Sequence, residues 1–127
     1  MTNQNGKIES TMLGTEDHGI LTAFIYCDFG GICQGFGGYG FDQPIKDENG
    51  EFLRREGVAW GMEFVRRVLD TLEVHSWEKL PGTPIRVRRS GPNEWSGKIV
   101  AIGHFYKDRW FDPKEDLKHL MPKEETP

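Results

Sequence analysis

Arg86-Val-Arg88-Arg89 is the stretch of this 127-residue chain whose residue types bear most directly on chemistry. In an extended strand Arg86 and Arg88 point to one side, and Ile85, Val87 and Arg89 to the other. Two guanidiniums held side by side repel each other unless an anion or carboxylates sit between them. Arginine grips phosphate with two parallel hydrogen bonds and also stacks on flat rings. Two readings stay open: a phosphate site, or an exposed strand face neutralised by Asp and Glu from elsewhere. Further on, Lys107-Asp-Arg109-Trp-Phe-Asp-Pro113 sets two cations beside two large aromatics. Arg109 or Trp110 could stack on a purine, while Trp110 and Phe111 equally suit closure of a core. Trp77 and Trp95 raise the same choice, and Trp95 falls in a turn-rich loop, where an exposed indole would mean more than packing.

Glu16-Asp17-His18 places two carboxylates beside an imidazole, a set that an acid/base enzyme could use. A turn stabilised by Asp17 accounts for it as well. No nucleophile elbow, metal-ligand spacing or phosphate-binding loop accompanies the trio, so nothing in the sequence demands catalysis. The four histidines (His18, His75, His104, His119) are scattered, and neither a metal nor a cofactor is expected.

From Gly30 to Gly40 the chain carries six glycines, two aromatics and no charge. Within it, Gly35-Phe-Gly-Gly-Tyr-Gly40 spells G-x-G-x-x-G, the pattern of a dinucleotide-binding turn. That mechanism needs a helix opening on the last glycine and an acidic residue about twenty positions later. Here Phe41-Asp-Gln-Pro44 follows instead, and the fingerprint fails. What remains is a twisted or bulged hairpin carrying Phe36, Tyr39 and Phe41, or a bare backbone platform approached by a planar ligand or a second subunit.

The elements that would position these residues are legible from periodicity. Lys7 to Leu13 reads as a strand after a loose end at residues 1–6. Ile20 to Asp28 alternates, with apolar residues on both faces, as a central strand does. Ile32 to Phe41 is its glycine-interrupted partner, ended by Asp42-Gln-Pro44, and Lys46 to Gly50 is a charged loop with an Asn-Gly turn. Val58, Met62, Val65, Leu69 and Leu72 recur at helical spacing, with Phe64 and Val68 widening the stripe. Ile85 to Arg89 and Lys98 to Tyr106 read as strands, Lys114 to Leu120 as a short helix, and 121–127 as a second loose end. The fold expected is α+β: one domain over 1–127, an antiparallel sheet of about five strands packed by one long helix, and a short C-terminal helix.

A formal net charge of −4 argues against a non-specific nucleic-acid binder, which needs a basic surface. No run reaches the roughly 18 to 20 apolar residues of a membrane span, and the polar start lacks a signal-peptide core. Cys27 and Cys33 sit in strand-like apolar surroundings and read as reduced thiols of a cytosolic protein.

The order of blocks along the chain carries a resemblance. Lys7-Ile-Glu-Ser-Thr11, Leu13-Gly-Thr-Glu-Asp-His-Gly-Ile20 and Gln34-Gly-Phe-Gly-Gly-Tyr39 come first. Trp77-Glu-Lys-Leu-Pro-Gly82, Ile99-Val-Ala-Ile-Gly103 and Trp110-Phe-Asp-Pro113 follow. From Lys7 to Pro113 the chain resembles a group of small phage and prophage proteins, the first type of phage Thoeris anti-defence proteins. The resemblance implies a sponge that binds cyclic ADP-ribose isomers made by bacterial TIR-domain enzymes and withholds them uncleaved. It also implies symmetric dimers or hexamers, in some members a second site for cyclic dinucleotides, and residence in the host bacterial cytoplasm. It assigns no binding residue by position. Such a ligand offers adenine, two riboses and a pyrophosphate. The residue types that suit it give the candidate ligand-binding set: Arg86, Arg88, Arg109, Trp110, Phe36, Tyr39, Gln34 and His18. The expected partners are a cyclic nucleotide and further copies of the chain, with no nucleic-acid strand and no membrane. Two other functions stay open: a small nucleotide-cleaving enzyme using Glu16, Asp17 and His18, and an inhibitor that binds a host defence protein directly.

Overall fold

The computed structural model describes residues 2–93 and 97–121. Its spine is β1 (Thr2–Asp17), which is long enough to be shared by two neighbours. The first half of β1 pairs with β6 (Pro84–Arg89), from Thr2 opposite Arg89 to Lys7 opposite Pro84. Its second half pairs with β2 (Ile20–Asp28), with a register shift between Ile8 and Ser10 where the partners change. His18 and Gly19 close this hairpin with φ of 55° and 76°, as a two-residue turn between twisted strands requires. With β3 (Cys33–Gly37), β7 (Ile99–His104) and β8 (Trp110–Phe111) the sheet has six antiparallel strands in the order β3-β2-β1-β6-β7-β8. A separate two-stranded hairpin is formed by β4 (Asp42–Lys46) and β5 (Phe52–Gly57).

The fold is α+β, a mostly antiparallel sheet with one main helix, α1 (Ala59–Leu72), and a short C-terminal one, α2 (Pro113–Asp116). The main sheet, expected to have about five strands, has six. Three local expectations need correction. Residues 2–6 are not a loose end, because their backbone pairs with β6. Asp42-Gln-Pro44 does not stop a strand but begins β4, where proline is tolerated on a strand that lacks one neighbour. The terminal helix is only four residues, set by Pro113 and by the Asp112 side chain accepting from the Glu115 amide. Met121 packs on the core; 122–127, the rest of the expected second loose end, and Trp95 lie outside the described residues.

α1 lies against β7 and β8 and turns Trp60, Phe64, Val68 and Leu72 into the core. The buried face is therefore rotated from the one that spacing indicated: Met62, on the expected stripe, is 74% exposed. Phe64 is the hub. Its ring lies 5.1 Å from Phe41, 5.4 Å from Phe111, and 5.9 Å from both Phe36 and Tyr39. After Gly37 the glycine run leaves β3, and β4 rather than a helix follows it. A Cβ at Gly38 would lie 2.7 Å from the Phe24 ring, so only glycine lets the chain pass beneath that aromatic.

Both cysteines are free thiols. Burial pushes the Cys27 thiol up to about 12, with nearby Arg89 opposing in part, whereas Cys33 is exposed on the sheet edge. A thiol reagent applied to the native protein at mildly alkaline pH should titrate one cysteine per chain, Cys33, and reach the second only on denaturation. Rapid reaction of both in the folded protein would show that the β1–β2–β3 layer does not enclose Cys27.

Candidate functional site

Three of the expected site residues meet on one face of the sheet. Arg86 and Arg88 project together from β6, opposite Gly103 and Ala101 of β7. Trp110 of β8 pairs with Gly103, and its indole lies flat across that residue: a Cβ there would fall 2.7 Å from the ring. The absent side chain lets Trp110 reach β6, where the guanidinium carbons of Arg88 and Arg86 stand 4.2 and 4.8 Å from the ring centroid. Such cation–π contacts contribute about 0.5–1 kcal/mol each at partly exposed sites. Arg86 is fixed further. Its Nε donates to the His104 carbonyl at 2.9 Å and its Nη2 to the Lys107 carbonyl at 2.7 Å. Neither arginine forms an ion pair among the described residues, and the Arg88 side chain makes no hydrogen bond among them. The neighbours on the same face are the exposed amides Asn5 and Asn3 of β1, cross-strand from Arg86 and Arg88. The result is a half-exposed shelf with two positive charges, an indole and two amides.

Arg109 is not part of it. Arg109 lies just before β8, and its guanidinium turns to the end of α1, 3.4 Å from Glu73, rather than to Trp110. Glu73 ends α1 in the left-handed conformation (φ 56°), an unusual choice for a residue with a side chain. That geometry brings its carboxylate to Lys107 at 2.8 Å and to His104 Nε2 at 3.0 Å. The Lys107 hydrogen bond, chiefly, holds the Glu73 carboxyl below its ordinary value. His104 Nδ1 accepts from the amides of Tyr106 and Lys107 at 3.1 and 3.0 Å, so Nε2 carries the proton that faces Glu73. This cluster fastens the β7–β8 loop to the helix end and occupies Arg109.

Gln34 and Phe36 point inward from β3. Phe36 is buried beneath α1 and cannot touch a ligand. Gln34 accepts from Arg89, the one residue of this region whose importance sequence reading missed. Arg89 is fully buried. It also donates to Gln4 at 3.0 Å and to the Gly97 carbonyl at 3.3 Å, and its guanidinium carbon lies 5.0 Å from the Phe29 ring centroid. No carboxylate accompanies it among the described residues, Nη2 lacks a partner, and desolvation lowers its pKa. The signal was present in the sequence, because Arg89 alternates with Ile85 and Val87. Tyr39 is half-buried against Trp60 and Phe64, where it borders a cleft of about 340 Å³ between β3 and β7 that also holds Ser90, Lys98 and Lys114. His18 stands exposed at the β1–β2 turn, bonded at 2.5 Å to Asp17, and Glu16 is exposed beside them. Glu16 and Asp17 end β1 and His18 opens the turn to β2, so none of the three is on the shelf. Trp77 packs on the core.

No helix among the described residues is long and apolar enough to cross a membrane. Comparison with protein-family models, with curated proteins and with solved structures finds no match for this chain.

Arg89→Ala should remove a buried side chain and leave the Gln4 and Gln34 amides without their donor. The expected cost is about 2–4 kcal/mol in urea unfolding. An unchanged midpoint would show that the buried guanidinium is not the tie between β1, β3 and the 90–97 loop.

Proposed function

We propose that this protein binds a small anionic nucleotide on the Arg86–Arg88–Trp110 shelf and sequesters it without cleaving it. The ligand class is that of cyclic ADP-ribose isomers, the immune signals made by bacterial TIR-domain enzymes. The observation that carries this reading is the convergence of two guanidiniums on one indole with no carboxylate to compensate them among the described residues. A pyrophosphate supplies the missing negative charge, and its oxygens match the planar donor fork of arginine. Adenine supplies a flat ring for the indole or for the Arg88 plane. Asn3 and Asn5 offer donors and acceptors at the distance of one strand, suited to ribose hydroxyls or a base edge. Arg86 is held in advance by two carbonyls, which lowers the ordering cost of binding.

The resemblance to phage anti-defence sponges supports the same reading and adds the biological role, evasion of host immunity in the bacterial cytoplasm by an assembly of identical chains. A sponge must hold its ligand with slow release, so a shelf open in one chain favours closure by a second.

Incubation of the pure protein with a TIR-derived cyclic ADP-ribose isomer should deplete the ligand from solution, and heating should return it intact. Arg88→Ala and Trp110→Ala should each weaken binding by about 1.5 to 3 kcal/mol, as expected for loss of a charge-assisted or stacking contact. Recovery of a cleaved product would instead support the enzyme built on Glu16, Asp17 and His18. Absence of depletion, with capture of one host defence protein, would support direct inhibition.

A further inference from the structure

Glu73 holds a backbone conformation that its own side chain makes unfavourable. It caps α1 with φ 56° and ψ 42°, the left-handed region where glycine rather than glutamate is the usual occupant. Strain of this kind persists where the surrounding structure imposes it, and it gathers at functional sites. Here it aims a carboxylate at the β7–β8 connection. Oε2 accepts from His104 Nε2 at 3.0 Å, while Oε1 meets Lys107 Nζ at 2.8 Å and Arg109 Nη1 at 3.4 Å.

The contacts continue beyond the carboxylate in one direction. With its proton on Nε2, His104 keeps a lone pair on Nδ1, and this receives the amides of Tyr106 and Lys107 at 3.1 and 3.0 Å. Those two bonds set the course of the loop. The Lys107 carbonyl then receives Arg86 Nη2 at 2.7 Å, and the His104 carbonyl receives Arg86 Nε at 2.9 Å. We propose that Glu73 is a positioning residue for the shelf: by fixing the tautomer of His104 it fixes the two carbonyls that hold Arg86 ready for a nucleotide phosphate. With the proton on Nδ1 instead, the ring would oppose both loop amides, and the support under Arg86 would loosen. The value of this to binding rests on the proposed role of the shelf, whereas the hold on Arg86 is a property of the unliganded protein.

Glu73→Gly separates positioning from mere support of the fold. Glycine takes the left-handed conformation without strain, and ion pairs this exposed add little to stability, so E73G should melt no lower than wild type. Nitrogen-15 NMR should nonetheless show His104 populating the Nδ1–H tautomer, and the Arg86 Nε–H signal should exchange with solvent faster than in wild type. Affinity for a cyclic ADP-ribose isomer should fall roughly three- to tenfold, the cost of ordering Arg86 at the moment of binding. Charge alone predicts the opposite sign, because Lys107 and Arg109 without their carboxylate attract an anion more strongly. E73Q, which keeps an oxygen for His104 Nε2–H, should retain the wild-type tautomer and bind more tightly than E73G. An E73G protein that binds as tightly as wild type or tighter, or that keeps Arg86 Nε–H protected, would overturn the proposal. A wild type that binds no nucleotide, with Arg86 Nε–H still released in E73G, would overturn the nucleotide reading and uphold the positioning of Arg86.

Discussion

Strand alternation along β6 sets the terms for this molecule. Three arginines within four residues cannot all face water when the strand lies between β1 and β7, so alternation sends Arg86 and Arg88 outward and drives Arg89 into the core. A buried guanidinium with no carboxylate beside it among the described residues is costly. The fold answers with amide and carbonyl oxygens gathered from distant points: Gln4 from the start of β1, Gln34 from β3, and Gly97 from the loop before β7. The cation that cannot reach water thereby ties together the strands that surround it. The outward pair meets the opposite condition. Among the described residues it meets an indole and backbone carbonyls and no carboxylate, and it keeps positive charge to offer.

Two further placements follow from the same rule. Trp110 and Arg109 are neighbours in sequence and are both expected at one ligand, yet their side chains go to different partners, Trp110 to Arg86 and Arg88 and Arg109 to Glu73. Arg109 then joins Glu73, His104 and Lys107 in fixing the β7–β8 loop to the end of α1. Because Arg86 is bonded to the carbonyls of His104, at the end of β7, and of Lys107, in that loop, the ion cluster and the shelf share a support. The loop is thus held from both sides, which suits a site that must be formed before its ligand arrives.

Much of this order was legible in the sequence. The alternation of Ile20 to Asp28 and of Ile85 to Arg89, and the helical period after Val58, identified the main elements. The chain after Gly40 also showed why G-x-G-x-x-G is not a dinucleotide fingerprint here. What could not be read was whatever depends on a distant partner. Thr2 to Gly6 has little strand propensity of its own and is ordered by β6. Pro44 looks like a terminator until β4 is seen to lack a neighbour on one side. The phase of α1 was misjudged because Met62 fits the apolar period as well as Phe64 does; only the aromatic floor supplied by Phe36, Phe41 and Phe111 decides between them. Phe36 was misassigned to the site for the same reason.

The central claim is that the shelf around Trp110 receives a nucleotide. The indole N–H resonances of the protein report on it directly during titration with a cyclic ADP-ribose isomer. The account predicts that the Trp110 signal moves with saturation while that of Trp60, in the core against Phe41, stays in place. A titration in which no indole moves, or in which Trp60 responds and Trp110 does not, would contradict it.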